Sequence, residues 1–180
     1  MVTGTTSASE VLVSTDWVAQ HGRDANVRIV EVDVDTTAYG QGHVPGAVSW
    51  NWSTELCDTL VRDIIPKAKF EALMSRSGIA NDTTVVLYGD NNNWFAAWAF
   101  WQMKIYGHRD VRIMNGGRKK WLSDSRDLET AAPAATPTPY HAAAPDTSIR
   151  ALLPEVQEAL KKGTPLVDVR SPQEFTGEIL

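Results

Sequence analysis

One polar loop of the sequence stands where many α/β proteins place their chemistry, between an apolar run and a tryptophan-rich segment. The loop consists of five residues, which are Gly89, Asp90, Asn91, Asn92 and Asn93. Backbone N–H groups at the start of a helix, together with the helix dipole, favour an anion at such a position. The loop has no cysteine, serine, histidine or lysine, however, and Asp90 puts a negative charge where the anion would bind. The sequence therefore predicts a binding cradle without a nucleophile.

Cys57 is the one cysteine of the sequence, and it lacks the surroundings of a reactive thiol. Glu55 and Asp58 flank it, and neighbouring carboxylates disfavour the thiolate form. We therefore interpret Cys57 as structural or incidental. The histidines, at positions 21, 43, 108 and 141, show no spacing typical of metal ligands, so the sequence predicts no metal site. We expect His43 to hold a turn by hydrogen bonding rather than to transfer protons.

Composition and charge exclude several classes of protein. The 180 residues are 43% hydrophobic and carry a formal net charge of −5, which indicates a globular chain and argues against nucleic acid as a general partner. No run approaches the roughly 20 apolar residues of a membrane span. The first residues lack the basic and apolar segments of a secretory signal, and one cysteine rules out an internal disulfide framework. These features predict a cytoplasmic protein with no membrane partner.

The elements that must position the loop alternate between strands and helices. Apolar, β-branched runs predict strands at 27–34, 48–52, 84–88 and 111–114, and helical patterns occur at 66–77 and 93–106. The alternation predicts an α/β fold with a central parallel sheet and helices on both faces. Aromatic and aliphatic residues lie almost all round the helix at 93–106, which predicts packing on most of its sides, against the sheet and a second body.

The alternation of strands and helices is interrupted after residue 129 and then resumes. Residues 130–148 hold four of the nine prolines and predict an extended, semi-rigid linker over a surface. A helix at 153–162 and a strand at 165–169 follow. The segments "IVEVDVDTTAYGQGH" (29–43) and "LVDVRSPQEFTGE" (166–178) share a strand with the pattern Val-acid-Val, a polar helical segment, an aromatic residue and a glycine. This repeat predicts a first domain at 1–129, the linker at 130–148 and the beginning of a second, incomplete domain at 149–180.

Three motifs in this order resemble the tandem-domain rhodaneses, which are sulfurtransferases. They are "YGQGHVPGA" (39–47), "YGHRDVRIMNGGRKKW" (106–121) and "DVRSPQEF" (168–175). The amino-acid sequence is similar to that of bacterial thiosulfate sulfurtransferases. The resemblance implies the rhodanese-like fold and a ping-pong reaction that needs no metal or organic cofactor. In that reaction a cysteine takes the sulfane sulfur of thiosulfate as a persulfide and passes it to cyanide or to another thiophilic acceptor such as a thiol.

The resemblance also assigns roles to residues. The family's nucleophile directly follows the strand that ends at Tyr88, where this chain has Gly89, so the first domain is identified as an inactive copy. We expect the nucleophilic cysteine beyond residue 180, at roughly position 226 of a polypeptide about 100 residues longer, and we expect the 180-residue chain alone to be inactive. Trp94 and Phe95 are expected to line the cleft between the domains.

Asp168, Arg170 and Glu174 correspond to the family's motif at the start of the second domain. The resemblance places them near its active loop, where the acid and the arginine would help to hold that loop. A purely structural ion pair between Arg170 and Glu174 is the other interpretation, and the sequence leaves both open.

Other functions remain in view at this stage. A 3-mercaptopyruvate sulfurtransferase has the same architecture and differs mainly in the missing cysteine loop. A non-catalytic rhodanese-like module that binds a partner would lack the second cysteine altogether. We interpret the tryptophans as packing rather than base-stacking residues, and "GGRKK" as a solvated helix start rather than an anion patch. If the loop keeps the geometry of a cradle, replacing Gly89 by cysteine and Asp90 by arginine would give a thiol of lowered pKa.

The interpretation of Cys57 is tested by the variant Cys57→Ala in the complete protein, assayed with thiosulfate and cyanide. We expect kcat to stay within about tenfold of the parent, because the thiol has no thiolate-stabilising neighbours. A larger loss of kcat in a variant with an unchanged circular dichroism spectrum would contradict the interpretation.

Overall fold

The computed structural model describes residues 11–61 and 63–179. The chain forms two units, one that ends at Asp146 and one that begins at Thr147. The domain boundaries expected from the sequence repeat stay a prediction.

A five-stranded parallel sheet forms the centre of the first unit, which confirms the predicted fold class. The strands run in the spatial order β1-β5-β4-β2-β3. Their bounds are Leu12–Val13 (β1), Val27–Asp33 (β2), Val48–Asn51 (β3), Thr84–Tyr88 (β4) and Val111–Met114 (β5). All four strands that the sequence predicts for this unit are present. Strand β1 was missed because two residues show no periodicity.

Helices cover both faces of this sheet. In the first unit they are Thr15–His21 (α1), Thr37–Gln41 (α2), Lys67–Arg76 (α3), Trp94–Ile105 (α4) and Gly117–Ser123 (α5), with a π-helical turn at Trp52–Leu56 and a 3-10 turn at Asn91–Asn93. Both predicted helices of this unit are confirmed as α3 and α4. No helix in the described part of the chain is long and apolar enough to cross a membrane.

The two faces of the sheet bury separate hydrophobic clusters. On β2, Val30 and Val32 face the cluster that includes Phe70 and Met103, while Ile29 faces the cluster that includes Trp121. Because side chains alternate along a strand, Glu31 and Asp33 continue the row of Ile29 into the second cluster. Two carboxyl groups therefore lie within an otherwise apolar layer.

Helix α4 packs on most of its sides, as the sequence predicts. Its buried residues are Ala96, Ala99, Gln102, Met103 and Ile105, and Phe95, Trp98 and Phe100 are partly buried against the core. Its exposed residues are Trp94, which is 66% exposed, and Ala97. The second body expected beside this helix stays a prediction.

Residues 130–146 form an extended strap on the first unit. The Tyr140 side chain is buried, its ring lies 5.8 Å from that of Phe70 between centroids, and its hydroxyl group donates to Nδ1 of His108 over 3.0 Å. Nε2 of His108 must carry the ring proton, because its partner at 2.9 Å is the carbonyl oxygen of Thr83. The neighbouring backbone of His141 exchanges two hydrogen bonds with the Asn81 side chain. The predicted extended conformation is present, with the polar backbone satisfied by the surface below it.

The second unit contains a 3-10 turn at Thr147–Ile149 and two helices, Leu153–Lys161 (α6) and Pro172–Thr176 (α7). The predicted helix at 153–162 is confirmed. The strand predicted at 165–169 is absent, and Val167 and Val169 are 85% and 91% exposed. A strand requires a hydrogen-bonded neighbour, and the described part of this unit offers none.

The strap makes a testable contribution to stability. We expect Tyr140→Ala to lower the free energy of unfolding by about 3–5 kcal/mol, because it removes a buried ring and leaves Nδ1 of His108 without a donor. Urea denaturation followed by tryptophan fluorescence measures this change. His141→Ala is the matched control, since its side chain is exposed and its bonds to Asn81 come from the backbone. Equal stability of the two variants would show that the strap does not stabilise the unit.

Candidate functional site: the loop after strand β4

The backbone at Gly89 lies directly against strand β2. A Cβ atom at this position would lie 2.3 Å from the carbonyl oxygen of Val32 and 3.0 Å from Oδ1 of Asp33. Such approaches do not occur between real atoms, and the neighbour is backbone in the middle of a sheet, which cannot move aside. Gly89 is therefore required by the packing of the loop against β2. The double replacement of Gly89 by cysteine and Asp90 by arginine was expected to lower the thiol's pKa only if the loop keeps the geometry of a cradle, with room for a side chain, and a Cβ atom at Gly89 would first require β2 or the loop to shift. The lowered thiol pKa itself stays a prediction.

Side-chain oxygens already occupy the loop's backbone donors. The N–H group of Gly89 donates to Oδ1 of Asn93 over 3.1 Å, and the N–H group of Asp90 donates to Oδ1 of Asp33 over 2.8 Å. These are the groups that a cradle would direct towards an anion. Two backbone donors of the predicted socket are therefore bound by side chains of the protein itself.

The three asparagines take an unusual conformation that makes the hydrogen bond to Asn93 possible. The φ angles of Asn91, Asn92 and Asn93 are 49°, 55° and 66°, in the left-handed region that asparagine tolerates better than other side-chain-bearing residues. The turn brings Asn93 back under the loop, where its Nδ2 also donates to the carbonyl oxygen of Met114 over 2.8 Å. A run of three asparagines was the available sequence signal for this turn.

A buried ion pair lies beneath the loop. Nη1 of Arg118 donates to Oε1 of Glu31 over 2.8 Å, and Nη2 donates to the carbonyl oxygens of Ala38, over 3.0 Å, and Gly42. The other oxygen of Glu31 accepts the hydroxyl group of Tyr88. Arg118 is 8% exposed, so the interpretation of "GGRKK" as a solvated helix start was wrong for its arginine. Local sequence could not show this pairing, since the partners are 87 residues apart.

Two carboxyl groups of this cluster have perturbed protonation. Burial raises the pKa of Glu31, although the Tyr88 hydroxyl group and Arg118 oppose the shift. The pKa of Asp33 is raised to about 7, first by burial and also by the charges of Glu31 and Asp90, while the hydrogen bond from the N–H group of Asp90 and the charge of Arg118 oppose the shift. Oδ2 of Asp33 is buried and accepts no hydrogen bond. The sequence analysis missed Asp33, although the spacing Glu-Val-Asp in a strand does place two acids on one face.

His43 takes the position that the sequence analysis expected. Its ring is fully buried and stacked on that of Tyr39, with 3.8 Å between centroids. Nδ1 lies 2.9 Å from the carbonyl oxygen of Tyr39, so this nitrogen donates. The backbone of His43 also pairs with that of Glu129. These contacts hold the turn and leave no path for proton transfer to solvent.

Trp94 and Phe95 begin helix α4 beside the loop. Their rings lie 6.0 Å apart between centroids, and Phe95 also packs 5.2 Å from the ring of Trp52. Trp94 is 66% exposed and Phe95 is half-buried. Their role as the lining of a cleft between domains stays a prediction.

Cys57 is buried in the core. It is 5% exposed and its backbone pairs with that of Ile64. Oδ1 of Asp58 accepts the N–H groups of Leu60 and Val61, at 2.9 and 3.0 Å. Within residues 11–61 and 63–179, no group of three or more His, Cys, Asp or Glu residues is arranged to hold a metal ion.

The candidate residues of the second unit form their own local network. The Arg170 guanidinium pairs with the Asp168 carboxylate, with 2.7 Å between Nη2 and Oδ2, and this contact holds the pKa of Asp168 down at about 2. Oε2 of Glu174 instead accepts the N–H group of Ser171 over 2.8 Å and caps helix α7. Arg170 thus meets the backbone carbonyl of Glu174, over 3.4 Å, and takes Asp168 as its carboxylate partner. Whether the three residues hold an active loop stays a prediction.

Comparison with known proteins identifies relatives of this chain. A family model described as "Rhodanese-like domain" matches residues 14–124. A protein of Saccharopolyspora erythraea named "Putative thiosulfate sulfurtransferase" is 52% identical over 174 residues, which cover 97% of this chain and 62% of that protein. The sulfur carrier protein TtuD of Thermus thermophilus is 53% identical over 174 residues, which cover 94% of this chain and 61% of that protein.

A solved structure shares the fold. SseA of Escherichia coli, described under the "rhodanese" fold and mechanism of 3-mercaptopyruvate sulfotransferases, superimposes with a TM-score of 0.81 and 25% identity. The match covers 93% of this chain and 68% of that one. In contrast, the chain spans less than two thirds of the length of the two relatives from Saccharopolyspora erythraea and Thermus thermophilus.

The space at Gly89 can be tested by adding one methyl group. We expect Gly89→Ala to lower the free energy of unfolding by about 2–3 kcal/mol, because the loop or β2 must shift to admit the Cβ atom. Gly40→Ala is the control, since a Cβ atom there has no neighbour within 4 Å and lies in a helix, where alanine is favoured. Urea denaturation of both variants decides the matter. If the Gly89→Ala variant is as stable as the parent, the conclusion that packing requires glycine at this position is wrong.

Proposed function

This chain belongs to the rhodanese-like domain family, and we propose from that membership that it is the amino-terminal part of a thiosulfate sulfurtransferase. In the proposed reaction a cysteine thiolate attacks the outer sulfur of thiosulfate, sulfite leaves, and the persulfide transfers its sulfur to cyanide or another thiophilic acceptor. The reaction needs no metal or organic cofactor. We place the cysteine beyond residue 180, in a second domain whose beginning is the unit from Thr147 onwards.

The observation that supports placing the nucleophile outside the first unit is the packing at Gly89. The family's nucleophile position has no room for a side chain in the first unit, and Asn93 and Asp33 take up the N–H groups that would stabilise a thiolate. The names of relatives at about half identity support sulfur transfer as the chemistry, while this chain covers 62% of the first of them. The tandem arrangement and the identity of the donor are therefore parts of the proposal.

The remaining candidate residues have supporting roles in this proposal. Trp94 and Phe95 form part of the wall of an interdomain cleft, where an exposed indole next to a polar loop would exclude water from a small anion. Asp168 and Arg170 hold the active loop of the second domain, and Glu174 fixes the helix that follows them. The partners are thiosulfate and a thiophilic acceptor, and the proposed location is the cytoplasm.

A 3-mercaptopyruvate sulfurtransferase is the second candidate, and the structural likeness to SseA favours keeping it in view. The two enzymes differ in the donor, so a comparison of kcat/KM for thiosulfate and 3-mercaptopyruvate separates them. A non-catalytic module is the third candidate, and it would transfer sulfur from neither donor.

The proposal is tested by comparing two polypeptides in the same assay. We expect the product of the complete reading frame to form thiocyanate from thiosulfate and cyanide, and residues 1–180 to form none above the uncatalysed rate, because their loop holds no thiolate. Mass spectrometry after incubation with thiosulfate alone should show a gain of one sulfur atom, about 32 Da, only in the complete product.

Three outcomes would count against parts of the proposal. Thiosulfate-dependent turnover by residues 1–180 would overturn the location of the nucleophile. A preference for 3-mercaptopyruvate would transfer the assignment to the second candidate. Failure of the complete, folded product with both donors would support the non-catalytic module.

A further inference from the structure

Glu31 and Asp33 place two buried carboxyl groups next to each other on one face of β2. They are 1% and 4% exposed, and they are two residues apart in a strand, so their side chains project from the same side of the sheet. The two side chains are close enough for each to affect the pKa of the other. Two ionised carboxylates in such a contact would repel each other strongly in a low-dielectric surrounding.

The hydrogen bonds around this pair leave one position open for a proton. Glu31 accepts from Arg118 and from the Tyr88 hydroxyl group, which are contacts of an ionised carboxylate. Oδ1 of Asp33 accepts the N–H group of Asp90, while its Oδ2 is buried with no donor facing it. A proton on Oδ2 turns this atom into a donor, and the Glu31 carboxylate beside it is an acceptor.

We propose that Asp33 and Glu31 share one proton, and that the loss of this proton is transmitted to the loop from Gly89 to Asn93 through the hydrogen bond between Asp33 and Asp90. The inference concerns the first unit and does not depend on sulfur transfer. It gives this loop a response to pH.

The loop is the part of this network that lies outside the sheet. Tyr88 and Arg118 hold Glu31 from β4 and α5, and the register of β2 between two strands holds the Asp33 backbone. The remaining attachment is the hydrogen bond from the N–H group of Asp90 to Oδ1 of Asp33, at 2.8 Å. A change in the charge of the Asp33 carboxyl group therefore reaches the loop directly through this bond.

The charged groups around Asp33 favour this response. Glu31 and Asp90 face it with negative charge, and Arg118 opposes them, although its guanidinium is engaged by Glu31 and its Nε lies 4.0 Å from Oδ1 of Asp90. Tyr39 and Tyr88 also face Glu31, and burial raises the pKa of both hydroxyl groups, so they stay neutral through the relevant range.

The direction of the effect on stability follows from the shift. The pKa of Asp33 is about 7 in the folded chain and near its ordinary value of 3.8 when unfolded. Between these values the folded chain binds a proton that the unfolded chain has released. The Asp33 contribution therefore destabilises the folded chain progressively as pH rises from about 4 to 7, and the effect is complete above that range.

The test is an NMR titration of the ¹³C,¹⁵N-labelled chain between pH 5 and pH 9. We expect the Asp33 carboxyl carbon to titrate with a midpoint near 7, and the Asp90 amide to shift with the same midpoint. An Asp33 midpoint below pH 5, or an Asp90 amide that does not follow the Asp33 midpoint, would overturn the proposal. The titration decides the question without any variant.

Two variants sharpen the result. Asp33→Asn keeps the acceptor for Asp90 and supplies an N–H donor towards Glu31, so it imitates the protonated state. We expect it to abolish the shift of the Asp90 amide near pH 7 and to raise the melting temperature at pH 8. Asp35→Asn removes the same charge from an exposed residue of the next loop and should leave both unchanged. A shift that survives in Asp33→Asn, or disappears in Asp35→Asn, would contradict the shared proton.

Discussion

The buried ion pair between Arg118 and Glu31 is the interaction on which the structure at the carboxyl end of the sheet depends. The Arg118 guanidinium reaches from α5 to Glu31 in β2 and to the carbonyl oxygens of Ala38 and Gly42. A buried carboxylate without such a partner would cost several kcal/mol, and a buried arginine without acceptors would cost as much. The pair is therefore a condition for placing two acids in an apolar layer.

The same cluster is joined to the loop after β4. Tyr88 shares Glu31 with Arg118 and also accepts the N–H group of Val44, so one network joins β4, β2 and the turn that contains His43. The N–H group of Arg118 donates to the Gly89 carbonyl oxygen over 3.1 Å, which ties the start of α5 to the loop. The loop therefore has hydrogen bonds to β2, β5 and α5.

The sequence revealed the parts of this structure that depend on local pattern. The strands at 84–88 and 111–114 were predicted residue by residue, because short β-branched runs in a parallel sheet are apolar on both faces. The prediction of a strand at 165–169 was wrong for a related reason, since such an apolar run forms a strand only where a second strand lies beside it. The burial of Arg118 and the contact of Asp33 with the N–H group of Asp90 could not be predicted, because both depend on contacts between residues 57 to 87 positions apart. The missing nucleophile was visible in the sequence, but the reason that glycine stands there was not.

The lack of space at Gly89 also bears on how such a unit can change by mutation. Two of the four glycine codons become cysteine codons by one base substitution, so genetically the family's nucleophile is one step away. Physically the change is larger, because a Cβ atom at this position would lie 2.3 Å from the carbonyl oxygen of Val32, so β2 or the loop would have to shift. If Gly89 holds the position that we propose for it, a single cysteine substitution here would therefore cost stability before it could give a usable thiol.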